Sequence, residues 1–200
     1  MLDSLLGRAG AASATRLDAL AQTLVHAGCS AGALTHTALA SGVGAGLLFY
    51  TGHSYAAFLS LSLSGLLDAL DGRVARLGAG PTAWGGVLDL TYDRIVEAVV
   101  LLGVALPHPE RHAAGLVLAA SWYVNLCVFM AVGAASARHS EKLIHYPPGI
   151  LERTEALLFA LLVVLWPGYT PAILSTYAGL GFVTAAQRFA YGRATLRKSR

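Results

Sequence analysis

A chain of 200 residues that is 56% hydrophobic and 12% charged stands apart from soluble domains, which carry about 25% charged residues. Its formal net charge of +3 is too small for a nucleic-acid-binding surface, and no run of one sign appears beyond a short basic tail from Arg193 to Arg200. The composition describes an all-α integral membrane protein, expected to form a single domain over residues 1–200.

The first residues carry Asp3 and no long apolar core, so they do not read as a cleaved signal peptide, and insertion is expected from internal helices. Leu17, Leu20, Ala21, Leu24 and Val25 then recur at helical spacing, with Thr15 and Asp18 in a capping-box pattern. This predicts an amphipathic helix over Thr15–Ala27 lying in the membrane interface; the alternative is a helix packed on the protein's own surface. Six apolar segments follow, at about Leu34–Tyr50, Tyr55–Leu70, Trp84–Leu106, Ala113–Ala135, Leu151–Trp166 and Pro171–Ala190. Each approaches the roughly 20 residues needed to cross a bilayer, which predicts six transmembrane helices. The second helix is expected to continue to Arg76, because nothing breaks it before Gly78, Gly80 and Pro81.

Lysine and arginine concentrate in alternate loops. Arg8 and Arg16, then Arg73 and Arg76, then Arg138, Lys142 and Arg153, and finally the tail fall on one side, against Arg111 alone on the other. This bias puts both termini at the cytoplasmic face of a bacterial-type inner membrane. Cys29 and Cys127 fit no metal or redox spacing and read as small buried apolar residues. His26, His36, His53, His108 and His112 have no convergent partners and read as structural or interfacial.

The charged residues inside the apolar sequence carry the chemistry. Asp68, Asp71, Gly72, Ala75, Arg76, Gly85, Asp89 and Asp93 form the pattern D-x2-D-G-x2-A-R-x8-G-x3-D-x3-D. At about 100° per residue, Asp68, Asp71, Gly72 and Ala75 share one face of the second helix, and Gly85, Asp89 and Asp93 share a stripe of the third. A turn at Gly78–Pro81 makes these helices antiparallel neighbours and lets the acidic faces converge. Ionisable groups at bilayer depth are costly and mark a working site. Four carboxylates with no Cys or His beside them suit hard divalent cations, Mg²⁺ or Mn²⁺, and can hold two of them. Gly72 and Ala75 clear the surface between the aspartates, Gly85 permits close approach, and Arg76 can neutralise a phosphate or hold an aspartate. Arg94 and Glu97, outside the pattern, read as partners for each other or for the site.

This pattern resembles the signature of the CDP-alcohol phosphotransferases, also called CDP-alcohol phosphatidyltransferases, at every defined position, and the six-span layout is similar too. The resemblance implies transfer of a phosphatidyl group from a CDP-linked lipid such as CDP-diacylglycerol to the hydroxyl of a small alcohol, releasing CMP, in phospholipid biosynthesis. It implies that Asp68, Asp71, Asp89 and Asp93 bind two metal ions and that Asp93 is also the catalytic base. Gly72, Ala75, Arg76 and Gly85 match nucleotide-binding positions. Many members have Asn three residues before a Thr at the start of the first span. Here that place is Gly32, and Thr35 is kept as a nucleotide-binding candidate. A homodimer is likewise carried over from the family.

The acceptor is less marked. Arg138, Lys142, Arg153 and Arg188 are the candidates for holding a phosphorylated acceptor, since guanidinium suits bidentate phosphate contacts. Their alternative is a topological role beside anionic lipid heads. Glycerol 3-phosphate is the leading acceptor, with inositol phosphate behind it. A rival of a different class, a divalent-cation transporter, predicts acidic residues spread through several spans, whereas these cluster on two.

Overall fold

The computed structural model describes residues 15–137 and 153–198, and among these residues the chain is helical with no strand. A short helix α1 covers residues 15–26. It is followed by α2 (Ala31–Tyr50), α3 (Ser54–Leu77), α4 (Ala83–Ala105), α5 (His112–Ala137), α6 (Arg153–Leu165) and α7 (Thr170–Lys198). Two compact units result, one ending at Gly103 and the other beginning at Val104.

In the first unit α3 runs unbroken through the acidic pattern to Leu77, as its lack of breakers predicts. The chain then turns at Gly80, whose φ of +90° a side-chain-bearing residue adopts only with strain. Gly80 N–H donates to the Ala75 carbonyl at 2.9 Å and so caps the helix end. Thr82 opens α4: its hydroxyl accepts from Gly85 N–H at 2.9 Å.

Helix α2 is the hub. Two serines of α3 bond to its backbone, Ser60 Oγ donating to Ser41 O at 2.8 Å and Ser64 Oγ to Ala38 O at 2.7 Å. Hydroxyls used this way join helices where apolar lipid supplies no drive for association. Toward α4, glycine replaces side chains. A Cβ added at Gly46 would lie 2.6 Å from the Val99 carbonyl oxygen, and one added at Gly103 would collide with the Gly46 carbonyl. A backbone carbonyl cannot swing aside as a side-chain tip can. Gly103→Ala is therefore expected to lower stability by about 1–3 kcal/mol, the usual cost of overpacking. Thermal unfolding of the detergent-purified protein checks this, and an unchanged midpoint would show that α2 and α4 are not in register there.

The apolar stripe of α1 is turned mainly onto the protein. Leu17, Leu24 and Val25 pack with buried Ala21 against Leu34, Leu67, Leu70 and Val74, while Leu20 is exposed. Asp18 pairs with Arg73 at 3.0 Å, so the same helix is also tied to α3 by charge.

In the second unit α5 and α7 run side by side and parallel. The points of contact rise together along both: Ser121 with Gly181, Asn125 with Arg188, and Val132 with Gly192. From α6, Phe159 stacks on Tyr177 of α7 at 4.3 Å, and Trp122 of α5 meets the same ring edge-on at 5.9 Å. Arg111 donates to the Val104 carbonyl at 3.0 Å, a cap that gives this isolated basic residue a structural task.

Among the described residues, two helical segments are long and apolar enough to cross a membrane, Ala31–Tyr50 and Pro109–Ala135; a third is counted if Ala156–Leu165 and Pro167–Leu196, bent by 117° at their junction, are taken as one span. Helices α3 and α4 fall outside this count, and each gives four positions to Asp, Glu or Arg. One expectation is corrected. Cys29 and Cys127 are exposed rather than buried, because Cys29 falls in the turn after α1 and Cys127 off the face of α5 that bears Ser121 and Asn125. The histidines make local contacts of the structural kind expected of them. His36 Nδ1 meets the Tyr92 hydroxyl at 3.0 Å between α2 and α4, and His53 Nδ1 meets Thr51 Oγ1 at 3.1 Å.

Candidate active site

The two acidic faces converge. One carboxylate oxygen from each of Asp68 on α3 and Asp89 and Asp93 on α4 lies within 4.8 Å of the other two. Helical spacing puts Asp89 one turn from Asp93, and the turn at Gly80 brings Asp68 across from them. Asp68 and Asp93 are half-buried, and Asp89 is exposed. Three like charges this close repel one another, and a bound cation would relieve that repulsion. Its donors are oxygens alone, which is the preference of a hard divalent ion, and Asp68, Asp89 and Asp93 would hold it.

Asp71 is placed differently. It is 8% exposed, and its Oδ2 accepts a 2.6 Å hydrogen bond from Thr35 Oγ1. Asp71 still interacts electrostatically with Asp89 and Asp93, so it belongs to the same acidic centre without joining the triplet of closest oxygens. Thr35, expected as a nucleotide contact, connects α2 to that carboxylate; the same hydroxyl lies 3.0 Å from the Ala31 carbonyl. Positions 35 and 36 thus grip both acidic helices from one turn of α2, Thr35 through Asp71 and His36 through Tyr92.

The small residues leave the surface beside the carboxylates low. A Cβ at Gly72 would meet only Arg76 Nη1, at 3.6 Å, and one at Gly85 only Thr82 Oγ1, at 3.1 Å. The Arg76 guanidinium therefore folds back along α3 over Gly72. Ala75 is half-buried on the same helix. Arg94 is paired with Glu97 at 2.7 Å, the first of the two roles expected for them.

Of the acceptor candidates, Arg138 and Lys142 lie outside the described residues. Arg153 begins α6, and its side chain is not among those described. Arg188 is described: its Nη1 donates to Asn125 Oδ1 at 2.9 Å, and its guanidinium carbon lies 5.2 Å from the centre of the Phe129 ring. Sequence reasoning passed over Asn125. It had a signal to follow, since this is the only asparagine of the chain and it sits in the middle of an apolar helix.

The sequence profile of the CDP-alcohol phosphatidyltransferases matches residues 29–186, most of the chain and both compact units. The chain belongs to the CDP-alcohol phosphatidyltransferase family. This makes it an enzyme, a transferase of substituted phosphate groups. Among its relatives, the archaetidylinositol phosphate synthase of Methanothermobacter thermautotrophicus is 32% identical over 66% of this chain and 66% of its own, just under two thirds of that relative's length. Inner membrane protein YnjF of Escherichia coli is 31% identical over 82% of this chain and 83% of its own. The phosphatidylinositol phosphate synthase of Mycobacteroides abscessus is 30% identical over 84% and 80%. The fold is similar to that of Mycobacterium tuberculosis phosphatidylinositol phosphate synthase crystallised with CDP-DAG bound, with a TM-score of 0.73 at 24% identity over 88% of this chain and 92% of that one. A second crystal structure of that synthase holds manganese and citrate. With apolar helices of spanning length and relatives of this kind, the phosphatidyltransferase is an integral membrane protein.

Proposed function

We propose that this phosphatidyltransferase moves a phosphatidyl group from CDP-diacylglycerol to the hydroxyl of inositol phosphate, releasing CMP at the cytoplasmic face of the membrane. The convergence of Asp68, Asp89 and Asp93 from two helices carries the reaction class. The transporter alternative is disfavoured by the same clustering, and by the low glycine surface beside it, which suits a bulky ligand rather than a conduction path. The preference for inositol phosphate over glycerol 3-phosphate, now second, rests on the names of the relatives, of which two in different organisms act to make inositol phosphate lipids.

Asp68, Asp71, Asp89 and Asp93 together hold two divalent ions, Mg²⁺ or Mn²⁺. When bound, such ions neutralise the diphosphate and the oxygen of departing CMP. Asp93 accepts the proton of the acceptor hydroxyl as that oxygen bonds to the phosphatidyl phosphorus and the bond to CMP breaks. Thr35 fixes Asp71, and Arg76, lying over Gly72, meets a phosphate of the nucleotide beside Ala75 and Gly85. The acceptor's phosphate is held by arginine and lysine, Arg188 foremost and Arg138, Lys142 and Arg153 with it.

The chain is one catalytic domain over residues 1–200, supported by a family match that runs through both units. Its helices α2 to α7 make six spans. Exposed Tyr50 and Tyr55 flank the turn after α2, and exposed Trp166 and Tyr169 flank the turn after α6, where ring systems favour the membrane boundary. Helix α1 lies along the cytoplasmic boundary with Leu20 outward, and the protein is a homodimer.

Purified enzyme supplied with CDP-diacylglycerol, Mn²⁺ and single acceptors is expected to release CMP with inositol phosphate. Release with glycerol 3-phosphate alone would reverse the acceptor order. No release with any phosphorylated alcohol would defeat the proposal.

A further inference from the structure

Helix α2 meets α4 in different ways at its two ends. Gly103 lies ten residues beyond Asp93, about 15 Å along α4. There the backbones touch: a Cβ at Gly103 would collide with the Gly46 carbonyl, and one at Gly46 would lie 2.6 Å from the Val99 carbonyl oxygen. Nearer the carboxylates Gly42 faces the Val96 side chain. At the acidic end two rings replace the backbone contact. The Tyr92 hydroxyl lies 3.0 Å from His36 Nδ1, and the ring centres are 5.6 Å apart with their planes at 50°. Gly46, Gly42 and His36 on α2 thus match Gly103, Val96 and Tyr92 on α4, so the helices are parallel. A glycine seam lets backbones approach, whereas two intervening rings keep them apart. The pair opens toward the carboxylates.

Helix α3 is bonded to α2 all the way to the acidic end, through Ser60, Ser64 and lastly Asp71, which accepts from Thr35. The carboxylate triplet is divided between these two neighbours of α2, Asp68 on α3 and Asp89 and Asp93 on α4. Its span therefore depends on how far α4 stands from α2. His36 is exposed and Tyr92 half-buried, so apolar burial contributes little at this point and the ring pair carries the tie. Tyr92 adjoins Asp93 in the chain, and a shift of one backbone moves the other.

We infer that His36 and Tyr92 are positioning residues. As a spacer between α2 and α4, they hold Asp89 and Asp93 at the distance from Asp68 that a divalent cation requires, and so set the affinity for it. The inference rests on the reading of Asp68, Asp89 and Asp93 as cation ligands. Ions of this kind bind well only where their oxygens stand near ideal positions. Like charges push the empty site apart, so an untied α4 leaves the ion a worse set of ligands. Residues that orient metal ligands from outside change affinity by about 10–100-fold when lost.

Electron paramagnetic resonance of free aqueous Mn²⁺ measures binding by the detergent-purified enzyme without substrate, beside thermal unfolding of the same samples. Tyr92→Phe keeps the ring and loses the bond, and is expected to weaken Mn²⁺ binding about fivefold, the scale of one neutral hydrogen bond. His36→Ala removes the spacer itself and is expected to weaken binding at least tenfold. In the His36→Ala background Tyr92→Phe has no further effect. Ser64→Ala removes a bond between α2 and α3 away from this pair. It is expected to lower the melting temperature and leave Mn²⁺ affinity at the wild-type value. Wild-type affinity in both Tyr92→Phe and His36→Ala would overturn the spacer. A loss in Ser64→Ala equal to that in His36→Ala would also overturn it, as general loosening of the helices. No Mn²⁺ binding by the wild type, or equal binding by Asp89→Asn, would sink the reading of the carboxylates and the inference with it.

Discussion

Asp93→Asn is expected to slow CMP release by about three orders of magnitude, within the range spanned by loss of a general base, while the protein still folds. The substitution is nearly isosteric, so the packing of α4 is kept. What it removes is the ability to accept a proton and one negative charge from a group of three carboxylates whose oxygens lie within 4.8 Å. Removing a charge from a repelling set does not weaken the fold. The expected pattern is therefore near-complete loss of turnover with an unchanged or slightly raised melting temperature. Parallel measurement of CMP release and thermal unfolding checks it. Residual turnover within tenfold of wild type would reassign the proton to another acceptor.

Chelation should have the other large effect. Treating the purified enzyme with EDTA is expected to abolish transfer and to lower the melting temperature, and Mg²⁺ or Mn²⁺ should restore both. An ion that binds only the folded state at a hundred times its Kd adds about 2.7 kcal/mol of stability. Here the gain should be visible because the ion also relieves repulsion between α3 and α4. In Asp89→Asn the ion-dependent rise in melting temperature should shrink. Full activity and an unmoved transition in the presence of chelator would remove divalent cations from the mechanism.

Much of this architecture could be read before any coordinates. Glycine and proline punctuate the chain so clearly that helices α2 to α7 fall on the expected segments, and helical spacing alone predicted that Asp68 would meet Asp89 and Asp93. What spacing does not reveal is the partner on a third element. The stripe of Leu17, Ala21, Leu24 and Val25 announces an amphipathic helix, yet nothing local tells whether lipid or Leu34 and Val74 will cover it. Thr35 likewise read as a ligand contact only through the family resemblance; that it donates to Asp71 is a tertiary fact, created by how α2 lies against α3. The Asn125–Arg188 pair joins residues 63 positions apart, and only the oddity of an amide in an apolar helix hinted at it.

The four aspartates differ in their access to water, with Asp71 enclosed and Asp89 open. A cation held against Asp89 would exchange without parting α3 from α4. If magnesium or manganese binds there, selection between them would be governed by cellular supply as much as by the protein, since carboxylate oxygens accept either. The enzyme's working rate would follow the metal economy of its host, a sensitivity that a sealed cage would have abolished.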